Sequence, residues 1–375
     1  MHSSHQTLLQ KAKTWFNSSL FNTDRAGEYF EYLLESIDPM WSALGSKARI
    51  IDVIEETADT KTWVMEVSDG WKGFRAGQHV HLTFSLNGVK QTRTFTLSSS
   101  PQQWRDQNTV SVTVKKVKQG KVTGWMHDNL QQGDVISISE AAGDFTLPRR
   151  QVNRVGYIAA GSGITPIMSQ LRWLSYNKMP SAASLLYFSN TEDDFIFASE
   201  LKAMEQIHPK LDTYFVASNG GQQSKYKLPQ TLLCEDHIEA LMGKALDRIY
   251  ICGPHPFREL AKKLLSEAGY NMDQVFEEAF GLPPVVVEEG APVQVTFTKS
   301  AMETTTDKSD TLLNMAEAAG LKPNAGCRMG ICYTCKCKKT SGQVRNVITG
   351  EISSSDAEEI QICVSTPISN VEIDL

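Results

Sequence analysis

The sequence predicts a multidomain α+β protein made of an antiparallel β-barrel, a doubly wound α/β domain and a small C-terminal domain. Apolar residues recur with a period of two between about 46 and 150, which is typical of short strands in an antiparallel barrel. Strand-like and helix-like segments alternate between about 151 and 283, which favours a parallel sheet covered by helices. Five of the 7 cysteines lie from Cys327 to Cys363, within the third unit.

Composition limits the classes of protein to which the chain can belong. It has 375 residues, of which 41% are hydrophobic and 21% charged, enough for two or three domains with sizeable cores. A net charge of −6 argues against nucleic acid as a partner. The chain has no run of about 18 apolar residues, so we expect no transmembrane helix. Its N-terminus does not resemble a secretory signal, so we expect a cytoplasmic protein that reaches a membrane only through its partner.

The first two units have distinct patterns. Residues 1–45 are predicted to form a helical N-terminal extension, because apolar residues recur there at roughly helical spacing. This extension either packs on the next domain or presents a docking surface for a partner or a membrane. The barrel, 46–150, is predicted from six runs rich in Val, Ile, Thr and Phe. These predicted strands are 49–54, 62–67, 79–84, 92–97, 109–117 and 135–140.

The α/β domain is predicted at 151–283. Its predicted strands are 154–160, 184–188, 213–217 and 248–252, and its predicted helices are 165–176, 197–207, 229–241 and 256–268. A linker is predicted at 281–290, where Pro, Gly, Val and Glu predominate. The last unit, 292–375, has predicted strands at 293–298 and 371–374, a predicted helix at 311–319 and a cysteine-rich loop between them.

The cysteines of the last unit have the spacing of an iron–sulfur site. Cys327, Cys332 and Cys335 form C-x4-C-x2-C, and Cys363 follows 28 positions later, which is the plant-type [2Fe–2S] pattern. Two irons need four thiolates, and one tight loop with small residues can supply three of them. Zinc is the alternative, but zinc sites usually have two short Cys or His pairs. We expect Cys337 not to be a ligand.

A glycine-containing loop in the α/β domain suits a nucleotide. Gly161 and Gly163 follow a predicted strand and open a predicted helix, where backbone N–H groups can approach a pyrophosphate. The third glycine of the dinucleotide-binding fingerprint is replaced by Pro166, so a simple strand–helix turn is an alternative. Cys252 and Gly253 end a later strand, and the ends of parallel strands line one crevice.

Two segments of the barrel suit a phosphorylated, flat cofactor. Arg93 can bind phosphate, Phe95 can stack on a ring, and neighbouring hydroxyl groups such as Ser99 can bind polar atoms. Gly120 and Thr123 precede or open a predicted helix, whose N-terminus could receive phosphate. The alternatives are an ordinary amphipathic strand and an ordinary helix cap.

Taken together, the three modules resemble the ferredoxin–NADP reductase superfamily followed by a plant-type ferredoxin domain. Arg93-x-Phe95-Thr96-x-x-Ser99 is similar to the family's flavin motif, R-x-Y-[ST]-x-x-S, with Phe95 in place of the usual Tyr. Gly120-x-x-Thr123, 161–166 and 252–254 are similar to its pyrophosphate and nicotinamide-nucleotide motifs. Glu278-Ala-Phe280 is similar to the segment that ends the reductase unit. The resemblance implies a β-grasp fold for the C-terminal domain.

The resemblance also implies the site residues. The implied catalytic residues are Thr96, Cys252 and Glu278. The implied cofactor-binding residues are Arg93, Phe95, Thr96, Leu97, Ser99, Lys115, Gly120, Val122, Thr123, Gly161, Ser162, Gly163, Thr165, Pro166, Cys252, Gly253, Pro254 and Phe280. The implied cluster ligands are Cys327, Cys332, Cys335 and Cys363.

The expected cofactors are FAD, with FMN as the alternative, a [2Fe–2S] cluster, and NADPH or NADH as co-substrate. The end of the second strand of the α/β domain, Ser189-Asn190, has no acidic residue of the kind that favours NADH. Ser218, Lys225 and Lys227 lie where related enzymes contact the 2′-phosphate of NADPH, although both lysines could be ordinary solvated charges. These observations favour NADPH slightly.

The implied function is electron transfer from NAD(P)H through the flavin and the cluster to an acceptor protein. Segments 37–42, 326–332, 344–350 and 363–365 are more similar to bacterial reductases of membrane-bound acyl-CoA Δ9 desaturases, so such a desaturase is the expected partner. One alternative is a reductase of a soluble oxygenase, such as an aromatic-ring hydroxylase or a phenylacetyl-CoA epoxidase. A reductase of a hybrid-cluster protein and a redox sensor that does not turn over are further alternatives.

Overall fold

The computed structural model describes residues 25–375 apart from 87–88, 119, 151, 220–231, 244, 284, 286–290, 307 and 309. Of the predicted N-terminal extension it describes one helix, α1 (Arg25–Ile37), and residues 1–24 lie outside the described part. Lys47 of the barrel pairs with Glu35 of α1, Nζ to Oε1, at 2.5 Å. In the described part of the chain, no helix is both long and apolar enough to cross a membrane.

The predicted antiparallel barrel is confirmed. Its strands are β1 (Ser46–Thr57), β2 (Thr60–Val67), β3 (His79–Leu86), β4 (Val89–Thr96), β5 (Thr109–Lys115) and β6 (Val135–Ile138), in the order β4-β3-β6-β1-β2-β5. Leu97, directly after β4, bridges to Val112 of β5, which connects the two ends of the sheet. Two helices, α2 (Pro101–Gln107) and α3 (Lys121–Asn129), complete the domain, and the sequence analysis did not predict α2.

In its described residues the α/β domain has five parallel strands. They are β7 (Arg154–Ala160), β8 (Ala182–Ser189), β9 (Leu211–Ala217), β10 (Arg248–Cys252) and β11 (Val275–Glu278), in the order β11-β10-β7-β8-β9. The helices are α4 (Ile164–Tyr176), α5 (Ala198–Ile207), α6 (Glu235–Met242) and α7 (His255–Glu267). The strand order reverses between β7 and β10, the point where sheets of this kind bind ligands beyond the strand ends.

Strand β11 is a feature that the sequence analysis missed. It has only four residues, two of them Glu277 and Glu278, so neither its length nor its pattern marks a buried strand. It is held in the sheet by pairing with β10 and by stacked aromatic rings. The ring centre of Tyr250 lies 5.4 Å from that of Phe276 and 5.8 Å from that of Tyr157. This strand places Glu278 beside Cys252 at the carboxyl ends of the strands.

The C-terminal domain is a mixed sheet with one helix packed on it. Its strands are β12 (Val293–Phe297), β13 (Met302–Thr306), β14 (Lys336–Ser341), β15 (Val344–Asn346), β16 (Glu358–Gln361), β17 (Ser365–Pro367) and β18 (Val371–Ile373), and its helix is α8 (Leu312–Ala318). The larger sheet has the order β13-β12-β18-β14-β16, and β15 pairs with β17. The sequence analysis predicted only β12, α8 and β18, since the other strands are short or polar.

Candidate active site

The three domains meet at one cleft. Thr96 lines it from the end of β4, Glu278 and Phe280 line it from the end of β11, and Met329 and Ile331 line it from the cysteine loop, 326–335. Its volume is about 320 Å³, at the lower end of the range for small-molecule sites. Residues that the sequence analysis assigned to three separate modules therefore lie at a shared site.

Alternation along β4 separates the flavin motif onto two faces. Thr94 and Thr96 face the cleft, while Arg93 and Phe95 have the other parity along the strand. The Phe95 ring packs against the barrel core with its centre 6.4 Å from that of Phe84. A flat ring bound in the cleft would therefore contact Thr94 and Thr96, and stacking on Phe95 stays a prediction.

Arg93 is a half-buried cation with spare hydrogen-bond donors. Its Nη1 donates to the carbonyl of Thr92 at 2.8 Å, and within the described residues no carboxylate pairs with it. Burial, together with the nearby charge of Arg328, lowers the pKa of Arg93 to about 10. A guanidinium in this state remains charged at neutral pH and suits a phosphate group.

Three of the predicted flavin residues have partners within the protein. The Leu97 side chain is completely buried in the barrel core, and the Ser99 Oγ accepts a hydrogen bond from the Ser111 N–H at 2.9 Å. Lys115 pairs with Asp59, Nζ to Oδ2, at 3.1 Å. Leu97 and Ser99 thus support β4 from the inside, and direct cofactor contacts by these three residues stay predictions.

The predicted pyrophosphate segment lies at the start of α3. Gly120 is the N-cap residue and supplies no side-chain cap. A Cβ at Gly120 would lie 2.5 Å from Thr123 Oγ1, which itself accepts a hydrogen bond from the Val117 N–H at 3.1 Å. Val122 is buried beneath this turn. The first N–H groups of the helix are thereby left available for a phosphate.

The predicted nucleotide loop has a close approach of two backbones. Gly161 has a φ of +53°, and a Cβ on Gly163 would lie 2.2 Å from the carbonyl oxygen of Cys252. The Thr165 hydroxyl donates to the carbonyl of Ser162 at 3.1 Å. Pro166 lies in the first turn of α4, where the N–H that it lacks would have no partner in the helix. The proline therefore removes no hydrogen bond from the helix.

The later strand ends complete this edge. Gly253 follows β10, and a Cβ there would lie 3.0 Å from the Cβ of Ala160, so the two strand ends pack tightly. Pro254 is the N-cap of α7. In the register of the sheet, Cys252 is opposite both Ala159 of β7 and Glu278 of β11. The structure therefore brings Cys252 and Glu278 together in register, and their catalytic roles stay predictions.

The Cys252 thiol is completely buried. Burial, and secondarily the charge of Glu278, raises its pKa well above the usual range, so the thiol is neutral and is not a nucleophile. In a nicotinamide site, the Cys252 thiol would contribute through packing and not through a charge.

Glu278 connects the barrel and the α/β domain. Its carboxylate accepts a hydrogen bond from Thr96 Oγ1 at 3.4 Å and lies 3.5 Å from His79 Nδ1. Burial raises the pKa of Glu278 above that of an ordinary glutamate. His79 was not predicted as a site residue. It reaches the site because it pairs with Thr96 in the register of β3 and β4. His79 also packs against Gly143, where a Cβ would lie 2.9 Å from its ring.

The cysteine loop has the donor set and backbone geometry that suit a cluster. Cys327 Sγ accepts hydrogen bonds from the N–H groups of Met329, Ile331 and Cys332 at 3.3–3.4 Å, and Cys332 Sγ accepts one from the Cys327 N–H at 3.1 Å. The sulfurs of Cys335 and Cys363 lie 3.0 Å apart. The N–H groups aimed at Cys327 would stabilise a thiolate.

Two glycines and one further cysteine fit the same interpretation. A Cβ on Gly326 would lie 2.5 Å from Cys332 Sγ, and Gly330 has a φ of +74°, so both positions require glycine. Cys337 is on β14 and its thiol contacts the carbonyl of Asp374 at 3.4 Å. Its exclusion from the ligand set stays a prediction.

Comparison with known proteins agrees with this geometry. Three family models match consecutive parts of the chain: an oxidoreductase FAD-binding domain at 47–147, an oxidoreductase NAD-binding domain at 157–263 and a 2Fe-2S iron-sulfur cluster binding domain at 295–367. The glycine betaine monooxygenase reductase subunit of Pseudomonas aeruginosa is 31% identical over 355 residues, which cover 89% of this chain and 96% of that protein. The chain belongs to the ferredoxin–NADP reductase family, with a C-terminal [2Fe–2S] domain.

Two other matches extend over most of this reductase. The glycine betaine monooxygenase reductase subunit of Chromohalobacter salexigens is 29% identical over 357 residues, covering 89% of this chain and 96% of that one. The solved structure of phthalate dioxygenase reductase has a TM-score of 0.61 and 20% identity, and the match covers 88% of this chain and 97% of that one. The latter likeness concerns the fold.

The cofactor and enzyme predictions are confirmed. The protein is an NAD(P)H-dependent oxidoreductase that uses FAD and a [2Fe–2S] cluster, and it is a reductase component that passes electrons to a protein acceptor in an oxygenase system. The expected closeness to reductases of acyl desaturases is not supported by these comparisons, which fit the soluble-oxygenase alternative better.

Replacing Gly163 with alanine should push α4 away from β10. The new Cβ would meet a backbone carbonyl, which cannot move aside as a side-chain tip can. We expect Gly163→Ala to destabilise the α/β domain by about 1–3 kcal/mol and to weaken nucleotide binding, measured by thermal unfolding and by titration. Gly124→Ala is the control, since no atom of the described residues lies within 4 Å of a Cβ at this helical position. An equal effect of both substitutions would contradict the packing argument.

Glu278→Gln should slow reduction of the flavin by NAD(P)H. The amide keeps the shape and an acceptor for Thr96 but removes the charge beside the cleft. We expect the rate in an anaerobic stopped-flow experiment to fall about tenfold or more, with unchanged flavin content. Burial raises the pKa of Glu278, so its carboxylate loses its charge at a higher pH than an ordinary glutamate does. The rate of flavin reduction in the natural protein should therefore fall as the pH is lowered through this pKa, and the rate in the variant should not.

Glu259→Gln is the matched control for this experiment, because Glu259 lies on the surface of α7 and pairs with Lys262 at 2.7 Å. An unchanged rate in Glu278→Gln, or an equal fall in both variants, would remove Glu278 from the catalytic site.

Proposed function

We propose that this protein is the reductase component of a soluble multicomponent oxygenase, and that it carries electrons from NADPH through FAD and the [2Fe–2S] cluster to the oxygenase component. The observation that carries the proposal is the shared cleft, which Met329 and Ile331 of the cysteine loop line together with Thr96 and Glu278. The P. aeruginosa and C. salexigens relatives, named as reductase subunits of a monooxygenase, support an oxygenase as the acceptor.

The residues of the chain have separate tasks in this reaction. When bound, the flavin accepts two electrons as a hydride from the nicotinamide and releases them singly to the cluster. Thr96 and Glu278 would orient the reacting rings at the strand ends, since they lie where the two domains join. Phe280, whose side chain is 43% exposed at the mouth of the cleft, would cover the flavin until the nicotinamide arrives. Met329 and Ile331 would exclude water between the two electron carriers.

The preference for NADPH is supported by the ends of β8 and β9. Ser218 N–H donates to the Ser189 carbonyl at 2.8 Å, and Asn219 N–H donates to the Asn190 carbonyl at 2.7 Å, so these residues form one polar edge. The nearby Asp194 accepts hydrogen bonds from the backbone and hydroxyl groups of Thr191, at 3.1 and 2.8 Å, so its carboxylate is engaged locally. Lys225 and Lys227 lie outside the described residues.

An apolar surface beside the cysteine loop suits a protein acceptor. Tyr333, Ile348 and Ile352 have side chains that are 63%, 52% and 51% exposed. Ile348 Cδ1 lies 3.1 Å from the position of a Cβ on Gly330, so this surface adjoins the loop itself. Exposed apolar residues grouped in this way are typical of interaction sites. We call Tyr333, Ile348 and Ile352 the acceptor surface.

The acceptor can be tested by reoxidation of the reduced protein. Mixed anaerobically with the purified oxygenase component of a glycine betaine monooxygenase, the reduced cluster should be reoxidised rapidly, whereas an acyl desaturase in lipid vesicles should reoxidise it slowly. Ile348→Ser should slow transfer to the oxygenase about tenfold or more, because it removes an exposed apolar side chain next to the cysteine loop. Rapid reoxidation by the desaturase alone would overturn the proposed acceptor in favour of a membrane-bound one.

Ferricyanide and Ile207→Ser are the controls. Ferricyanide is too small to need a docking surface, so Ile348→Ser should not slow its reduction. Ile207, at the end of α5, is 70% exposed and belongs to another domain. A loss of ferricyanide reduction in Ile348→Ser would mean that the cluster itself is disturbed and that Ile348 is not a docking residue.

A further inference from the structure

Two neighbouring residues of α4 carry buried polar side chains. Ser169 and Gln170 lie in the middle of a helix whose other buried residues are mostly apolar, and both are completely buried. A buried polar group costs free energy unless it has a hydrogen-bond partner. A serine inside a helix can satisfy its hydroxyl with the carbonyl four positions earlier in the same helix. Here both side chains instead have partners in the barrel.

The Ser169 hydroxyl makes two hydrogen bonds across the domain boundary. It donates to the carbonyl of Ser99 at 2.6 Å and accepts from the N–H of Gly77 at 3.2 Å. Ser99 is the last residue of the predicted flavin motif, three positions after Thr96. Gly77 has a φ of +96°, and a Cβ there would lie 2.0 Å from the carbonyl oxygen of Phe145, so this position requires glycine. One hydroxyl group therefore connects the helix to two segments of the barrel.

Gln170 makes a second connection beside the first. Its Nε2 donates to the carbonyl of Phe145 at 2.9 Å, and its Oε1 accepts a hydrogen bond from the Tyr157 hydroxyl at 3.0 Å. Phe145 lines the cleft, and Tyr157 lies on β7, the strand that leads into the predicted nucleotide loop. The amide thereby connects the wall of the cleft to the centre of the α/β sheet.

The same helix begins at the predicted nucleotide loop. Gly163 is the N-cap residue of α4, and Ser169 follows six positions later, about 9 Å along the helix axis. Hydrogen bonds within the helix connect its first turn to Ser169 and Gln170. A helix fixed to the barrel at these two residues would therefore also fix where a bound nucleotide lies relative to β4.

We propose that Ser169 and Gln170 are positioning residues for hydride transfer, because they fix the nucleotide-binding helix on the barrel that binds the flavin. The inference rests on the path from NADPH to FAD proposed above, and it adds two residues that neither the glycine loop nor the flavin motif includes. Both side chains are completely buried, so they act through the backbone of the barrel and not by contact with the nucleotide. They should therefore affect the rate of transfer more than the affinity for the nucleotide.

The test separates the rate of hydride transfer from nucleotide binding. Natural protein and Ser169→Ala are mixed anaerobically with increasing NADPH in a stopped-flow instrument, and bleaching of the flavin band is recorded. The limiting rate of Ser169→Ala at saturating NADPH should fall about tenfold, as expected for a slight misplacement of the reacting rings. The Kd of NADP⁺, measured by titration of the oxidised protein, should stay within about twofold of the natural value, and the flavin content should not change.

An absorbance measurement gives a readout that does not depend on turnover. A nicotinamide ring stacked on a flavin absorbs at long wavelength, and this band should be weaker when NADP⁺ is added to reduced Ser169→Ala than when it is added to the reduced natural protein. A band of unchanged intensity together with an unchanged limiting rate would overturn the proposal.

Ser184→Ala is the matched control. Ser184 is also a buried serine of the α/β domain, but its hydroxyl accepts a hydrogen bond from Arg154 Nη1 of the same domain, at 3.1 Å. It lies near the start of β8, whereas the cleft lies at the carboxyl ends of the strands. Ser184→Ala should leave the limiting rate unchanged. An equal fall in both variants, or a loss in Ser169→Ala that is confined to the Kd of NADP⁺, would contradict a positioning role.

Gln170→Leu keeps the proposal testable if Ser169→Ala does not fold. Leucine is similar in size but removes the hydrogen bonds to Phe145 and Tyr157, so we again expect slower transfer with an unchanged Kd. A limiting rate in Gln170→Leu as fast as that of the natural protein would show the proposal to be wrong.

The natural protein separates this inference from the function on which it rests. If NADPH does not reduce the flavin of the natural protein, the proposed electron path is wrong and this inference is wrong with it. Rapid reduction in the natural protein and in both variants would overturn only the roles of Ser169 and Gln170.

Discussion

The hydrogen bond from Thr96 to Glu278 joins the barrel and the α/β domain at the cleft that both domains line. Thr96 ends β4 of the barrel, and Glu278 ends β11 of the α/β sheet, with 3.4 Å between their oxygens. Hydride transfer requires two rings held in a narrow range of distance and orientation. A contact between the strand ends that carry the two rings would fix that geometry. His79 adds a second contact to the same carboxylate.

The close approach of α4 to the end of β10 also constrains the positions of the residues that line this end of the sheet. Gly163 allows the start of α4 to lie against the carbonyl of Cys252, and the register places Cys252 beside Glu278. The loop that would receive the pyrophosphate and the strand that carries Glu278 are therefore parts of one rigid edge. The cysteine loop then lines the cleft from the third domain, through Met329 and Ile331.

The parts of the fold and site that could be predicted from the sequence are those that depend on local chemistry. The glycines at 161 and 163, the arginine at 93 and the cysteine spacing each have a local physical reason, and the comparisons confirm the modules that they predict. Features that depend on pairing between distant segments were missed. Strand β11 is too short to have a pattern, and His79 is in the site only because β3 pairs with β4 in one register.

The central claim is that one chain passes electrons from NADPH through the flavin to the cluster. It is tested by anaerobic titration of the purified protein with NADPH, followed by visible absorbance and low-temperature EPR. The flavin band should bleach while a rhombic signal of a cluster reduced by one electron appears. Bleaching of the flavin without a cluster signal would contradict it, because the C-terminal domain would then be uncoupled from the flavin that its loop adjoins.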